Sequence, residues 1–290
     1  MEYIVIDGGS TDGSIDIFRK YGPWLAYWIT EPDRGQSHAI NKRFARSTGE
    51  IIAWINSDDT LLPGALAKVA EAFVKEGGLG LVYGDYQAID GDGHDLMNRS
   101  SPEFDLGQLV VSNWIAQGFV RRDAVSGAKL VAEELHCLMD WHLWLRASLQ
   151  WRARRLPFLL GQVRFHPHSK TVSAHTRFNA EHEWVLTWLY TQADLPGKIR
   201  SLRRVSYALF YYALAVQEFE RDNRWGAWRW ITRSLCTNLF RPSPFKRLGY
   251  WCSVLLPTIV ATRLQRRFRE RTYSAAFLRA LVSPRDHKQS

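Results

Sequence analysis

A chain of 290 residues, 46% of them apolar, is long enough for a full core plus an appendage. Its three cysteines, Cys137, Cys236 and Cys252, are widely spaced and odd in number, which argues against a disulfide framework or a zinc site and favours a reducing compartment. The net charge of +9 belongs to the C-terminal third, where residues 201–290 hold 17 Lys/Arg against 5 Asp/Glu, so an evenly basic nucleic-acid-binding surface is not indicated.

Tyr3–Ile6 reads as a buried strand running into a Gly/Asp turn, "DGGSTDGS", and a short helix over Gly13–Tyr21. The first residues carry Glu2 and Asp7 and go straight into that strand, which is not a secretory signal pattern. Leu25–Thr30 is a second strand, and Gln36–Ser47 a helix with Ile40 and Phe44 one turn apart. Ile51–Ile55 is a wholly apolar third strand. Thr60 and Pro63 signal a helix start, followed by a stripe of Leu62, Leu66, Val69 and Phe73. Leu79–Ile89 is strand again, and "DGDG" at Asp90–Gly93 is a hairpin turn. Asp140–Leu149 is a helix, Leu156–Phe165 a strand, and "HPHSKT" at 166–171 a polar loop. This alternation predicts an α/β fold with a mostly parallel sheet, over residues 1–178.

Residues 179–290 read as helical, basic and Trp-rich. Leu202, Val205, Leu209, Tyr212, Val216 and Phe219 follow helical spacing, and "RDNRWGAWRWITRSL" starts a second helix. Leu248–Thr262 is free of charge but interrupted by Pro257, and it falls short of the ~20 residues of a spanning helix. It fits a helix lying in a membrane interface or docked on the domain. A basic, Trp-rich region points to peripheral contact with an anionic membrane; a helical subdomain packed on the core is the other reading.

Polar clusters follow the predicted strands, where open α/β sheets bind ligands. Asp7, with Gly8 and Gly9, suits contact with a base or ribose, or a plain tight turn. Arg34 and Gln36 in "EPDRGQSHAIN" suit phosphate or base edges ahead of a helix N-terminus, or a solvated loop. In "INSDDT" an apolar strand ends in two adjacent carboxylates, Asp58 and Asp59. Their mutual repulsion calls for a counter-charge such as a hard divalent cation, although a helix cap accounts for one of them. Asp140 in "MDWHLWLR" is a helix-start acid or a general base. His166, with Lys170, is a surface-loop pair or a metal and phosphate contact.

In this order, "YIVIDGGSTDGS", "EPDRGQSHAINK", "GEIIAWINSDD", "LVYGD", "MDWHLWLR" and "RFHPHSKT" resemble the GT-A glycosyltransferases of family 2, in their bacterial cell-wall and surface-polysaccharide branch. The likeness covers about residues 2–175. It implies a Rossmann-like mixed, mostly parallel sheet with flanking helices. It further implies a UDP- or dTDP-sugar donor, Mg²⁺ or Mn²⁺, inversion at the anomeric carbon, and a glycan or lipid-linked acceptor. By motif position, Asp7 and Gly9 would contact the base, Arg34 and Gln36 the nucleotide, and Asp58 the donor. Asp59 would hold the metal, Asp140 would deprotonate the acceptor, and His166 and Lys170 would close over the diphosphate, His166 as a metal ligand. The implied protein is cytoplasmic, peripheral on the inner face of the cell membrane.

The family usually begins with one more βα unit ahead of "YIVID", so the resemblance implies a chain without it. His38 stands where the family commonly has Asp, and Asn56 where the acidic motif often begins with Asp. No QxxRW signature follows Asp140, which implies one sugar per acceptor. An inactive, scaffold-like relative is the alternative function. A nucleotidyltransferase would need a basic phosphate loop that "DGGSTDGS" does not offer.

Overall fold

The computed structural model describes residues 1–125, 127, 129–166 and 175–238. The chain forms two compact units. The first comprises Met1–Ala88, Asn98–Phe104 and Trp114–Arg164.

In the first unit β1 (Ile4–Asp7) and β2 (Tyr27–Thr30) pair in parallel, Ile4 opposite Tyr27 and Asp7 opposite Thr30. The crossover is α1 (Ser14–Tyr21), none of whose residues is buried; Phe18 leans on Trp28 with ring centroids 6.0 Å apart. A parallel pair needs such a crossover, whereas a hairpin would force antiparallel pairing. The larger sheet runs in the order β3 (Ile51–Ile52), β7 (Gly118–Arg121), β5 (Leu79–Ile89), β8 (Arg152–Arg164) and β4 (Thr60–Leu61), with β6 (Asp95–Arg99) also on β5.

The sheet is mixed, with helices α2 (Gln36–Arg46), α3 (Ala65–Lys75) and α5 (Met139–Gln150) in the same unit. Antiparallel pairing weighs more than the βα alternation predicts: β3–β7, β5–β7 and β4–β8 are all antiparallel. β4 follows β3 with no helix between them, so this step of the chain is not a βα crossover. Three local expectations also change. The third strand is ladder-paired only at Ile51 and Ile52, and Trp54 leaves it to stack on Trp144 at 5.5 Å and 7°. Thr60–Leu61 is strand, and the helix starts later, after Gly64 with φ 84°. Leu66 faces outward, and the buried face of α3 is Ala65, Val69, Ala72 and Phe73.

That face packs against Leu79 and Val82 of β5, Phe119 of β7, and Leu156 and Leu160 of β8. Each such large side chain contributes roughly 1.5–3 kcal/mol on burial. The "LVYGD" stretch lies in β5. A Cβ on Gly84 would meet the Phe158 carbonyl at 2.8 Å, so the two strands meet only because that position has no side chain. Asp85 is bound by both Nε and Nη2 of Arg155, with only 14–15% of either side chain exposed. Its role is to neutralise an inward arginine.

The second unit comprises Ile89–Met97, Asp105–Asn113 and Phe165 onward. Its helices are α4 (Leu106–Val111), α6 (His175–Thr191), α7 (Gly197–Arg200), α8 (Arg203–Glu220) and α9 (Arg224–Thr237). Asp105 caps α4 through the Gln108 amide at 2.7 Å. Asn223 caps α9 through the Gly226 amide at 3.0 Å. Ala215 and Phe219 of α8 pack on Ala227 and Ile231 of α9. Lys170, Cys252 and the uncharged stretch Leu248–Thr262 lie outside the described residues. Among those described, no helix is long and apolar enough to cross a membrane.

Candidate nucleotide and metal site

Asp7 ends β1 and organises the turn after it. Its Oδ2 accepts the amides of Gly9 (3.0 Å) and Ser10 (2.9 Å) and the hydroxyl of Thr30 (2.5 Å). Its Oδ1 accepts the Ser10 hydroxyl at 2.5 Å. Burial alone would raise this carboxyl, but the bonds from Ser10, Thr30 and Gly9 outweigh it and hold the pKa at about 2. Gly9 takes φ 99°, a conformation that favours glycine, and a Cβ there would meet no atom within 4 Å. A Cβ on Gly8 would stand 2.8 Å from Asp33 Oδ2, which brings the loop after β2 against the loop after β1.

A carboxylate depressed in the folded state stabilises it above the unfolded pKa, and that contribution disappears as pH falls through the folded value. Unfolding free energy should therefore drop between about pH 4 and pH 2. Asp7→Asn should be less stable at neutral pH and show a shallower acid limb, read by denaturant titration across that window.

The loop after β2 ends at Gly35, which precedes α2, and Gln36 opens the helix. Gln36 Nε2 donates to Asn56 Oδ1 at 2.7 Å, and Asn56 Nδ2 donates to Asp59 Oδ2 at 2.9 Å. The Arg164 amide donates to Asp59 Oδ1 at 2.9 Å, and Arg164 Nε donates to the Asp58 carbonyl at 3.0 Å. Two sequence-distant candidates, Gln36 and Asp59, are thus joined through Asn56. Burial pushes the Asp59 carboxyl up, the bonds from Arg164 and Asn56 act against this, and the Asp58 charge adds to the rise. Asp59 Oδ2 accepts from Asn56 and Oδ1 from the Arg164 amide, which leaves lone-pair capacity that suits a hard divalent cation.

Asn56 stands where an acidic ligand was expected, and both ends of its amide are engaged. It orients Asp59. Loss of such an outer partner typically costs 10–100-fold in metal affinity. Asn56→Ala should weaken Mn²⁺ binding by about tenfold or more, measured by paramagnetic resonance of free Mn²⁺.

Arg34 is largely exposed and pairs with Glu133 at 2.7 Å. That bond is the main reason the Glu133 carboxyl lies at about 2; burial opposes it, and Asn41 and Lys129 add to the lowering. Residues 131–136 strap onto α2. Asn41 exchanges hydrogen bonds with both the N–H and C=O of Val131 at 3.0 Å, and Ser37 Oγ donates to the Leu135 carbonyl. His136 Nδ1 would lie 3.1 Å from a Cβ on Gly35. Four residues later Asp140 stands in the first turn of α5, its Oδ1 accepting the Trp141 amide at 2.6 Å. His38 Nδ1 accepts the Arg34 amide at 3.2 Å.

Asp59 belongs to the first unit and His166 to the second, beside Gly91 of the hairpin turn. Lys170 lies outside the described residues. Asp90, Asp92 and His94 are the one group of three potential ligands among the described residues. Asp90 Oδ1 there accepts the Asp92 and His94 amides, the hydrogen bonding of a hairpin turn. Sequence reading did not single out Asp33, Asn41, Glu133 or Arg164. Asn41, Glu133 and Arg164 act across long sequence separations, and Asp33 accepts the nearby Gly35 amide.

A mixed sheet with flanking helices, glycine turns after β1 and β2, and an acidic pair directly ahead of β4 give a GT-A type fold. Residues 1–129, a little under half of the chain, match the glycosyl transferase family 2 model. It is 26% identical over 153 residues to an uncharacterised glycosyltransferase of Nostoc sp., covering 50% of this chain and 47% of that one. It is 40% identical over 77 residues to the O-antigen biosynthesis protein RfbC of Myxococcus xanthus, covering 26% of this chain and 6% of that protein. The chain therefore spans about half the length of the Nostoc relative, and far less of RfbC. The mannosyltransferase PcManGT from Pyrobaculum calidifontis, solved with GDP-Man and Mn²⁺, shares the fold. Its TM-score is 0.55 at 16% identity, covering 96% of this chain and 73% of that one.

Proposed function

We propose that this protein is an inverting glycosyltransferase that moves one sugar from a UDP- or dTDP-sugar to a glycan or lipid-linked acceptor in surface-polysaccharide synthesis. The observation that carries the reading is the hydrogen-bonded chain Gln36–Asn56–Asp59, which links the start of α2 to the turn ahead of β4. The relative named for O-antigen biosynthesis supports the acceptor class, and the neighbour solved with GDP-Man and Mn²⁺ supports a nucleotide-sugar donor with a metal.

Asp7 and Gly9 shape the loop that receives the base. Arg34, anchored by Glu133, and Gln36 lie along the nucleotide. Asp59, with Asp58, would hold Mg²⁺ or Mn²⁺, which when bound would offset the charge of the leaving diphosphate. Asp140 takes the proton of the acceptor hydroxyl as its oxygen bonds to the anomeric carbon. The anomeric C–O bond breaks, and its electron pair leaves on the nucleoside diphosphate. Opposite-face attack inverts the centre in one step. The roles of His166 and Lys170 rest on the motif alone.

The test is a panel of nucleotide sugars incubated with Mn²⁺ and protein, scored by nucleoside diphosphate release with and without lipid-linked acceptors. Release from one UDP- or dTDP-sugar, stimulated by an acceptor, supports the reading. Absence of release from every donor, by protein that is folded, overturns it.

A further inference from the structure

Helix α9 carries a surface the transferase chemistry does not use. Trp225, Arg229, Arg233 and Cys236 are exposed and recur at helical spacing, opposite the buried Ala227, Ile231 and Ser234. Trp225 is 72% exposed, second among the exposed tryptophans of the described residues to Trp24 at 73%. It is not loose: its ring stacks on Trp228 at 5.0 Å and 17°, and Trp228 packs against the α8–α9 core. Arg233 lies over the Tyr211 ring at 4.5 Å, and Arg229 over Trp230 at 5.4 Å. No Asp or Glu occurs in α9. Of the acids just before it, Glu218 is tied to Asn223 at 2.6 Å and pairs with Arg221 at 3.9 Å.

We infer that this Trp/Arg face of α9 docks on the surface of an anionic lipid bilayer. The charge on the page selects the occupant. Residues 239–290 hold 11 Lys/Arg against 2 Asp/Glu, so they repeat the sign of this face and do not complement it. A second copy presented face to face would set arginine against arginine. An anionic headgroup layer complements the arginines, while an indole with an apolar body and one N–H suits the headgroup depth. Arginine stems lie along apolar surface with the guanidinium left at the phosphates. Such a surface would hold the catalytic unit where lipid-linked acceptors are found. The inference goes beyond the transferase reading and does not depend on it.

The experiment is flotation of the full chain with phosphatidylcholine vesicles, with and without phosphatidylglycerol, at physiological ionic strength. The wild type should float only with the anionic vesicles. Trp225→Ser and the pair Arg229→Gln/Arg233→Gln should each lower partitioning roughly tenfold or more. Arg229→Gln alone, which leaves the Arg233–Tyr211 stacking intact, should lower it several-fold and guards against misfolding of the pair. Equal flotation with both vesicle types, no flotation, or unchanged partitioning of Trp225→Ser overturns the inference. So does a wild-type dimer that Trp225→Ser converts to monomer without changing flotation. UDP binding by the same preparations, measured separately, keeps failure here distinct from failure of the transferase reading.

Discussion

Asp59→Ala should remove metal-supported nucleotide binding and lower sugar transfer by ~10³ or more, because the carboxylate is the anionic end of the Gln36–Asn56–Asp59 chain. Asp59→Asn should fare little better. The two Asp59 oxygens accept from the Arg164 amide and from Asn56 Nδ2. An asparagine offers one oxygen and one NH₂, so one of these donors would face another donor. Melting temperature should be measured alongside. Removing a charge whose carboxyl is pushed up by burial relieves desolvation, so Asp59→Ala need not destabilise the fold. Loss of metal-dependent binding with an unchanged melt is the signature of a ligand residue.

Asp140→Asn should lower kcat by ~10²–10⁴ and leave the donor KM within a few-fold, the range expected for removing a general base. The amide still accepts the Trp141 N–H through its oxygen, so the start of α5 is preserved. This separates the two readings of an acid in a first helical turn. If Asp140 served only the helix dipole, the substitution would cost about 0.3–1 kcal/mol of stability and leave turnover unchanged. A large fall in kcat at constant melting temperature assigns the proton transfer to Asp140.

How much of this was legible in the chain depends on the range of each interaction. The strand and helix of "YIVIDGGSTDGS" could be read because Ile4–Asp7 and the glycine turn are local. The Asp7 side chain was harder: its partners Gly9 and Ser10 are adjacent, but Thr30 comes from the next strand and was invisible to spacing. Ile51–Ile55 looked like a complete strand because all five residues are apolar, yet pairing depends on a partner, and β7 meets only Ile51 and Ile52. Leu66 fitted a helical stripe that began at Leu62, but Leu61 had already been drawn into pairing with Gly161 of β8, which shifted the start of α3 and its buried face. Asp58 and Asp59 stood out by their adjacency. Asn56 stood out only as a departure from an acidic motif, and Arg164 not at all, since an ordinary arginine more than a hundred residues away carries no local signal.

The loops after β1 and β2 and the turn ahead of β4 should together bind a nucleoside diphosphate with a divalent cation. Isothermal titration of UDP and of dTDP into the full chain, with Mn²⁺ and then with EDTA, tests it most directly. The account predicts one-to-one binding of at least one of the two in Mn²⁺, lost in EDTA and lost in Asp59→Ala. Binding indifferent to both metal and Asp59, or no binding of either nucleotide by folded protein, would contradict it.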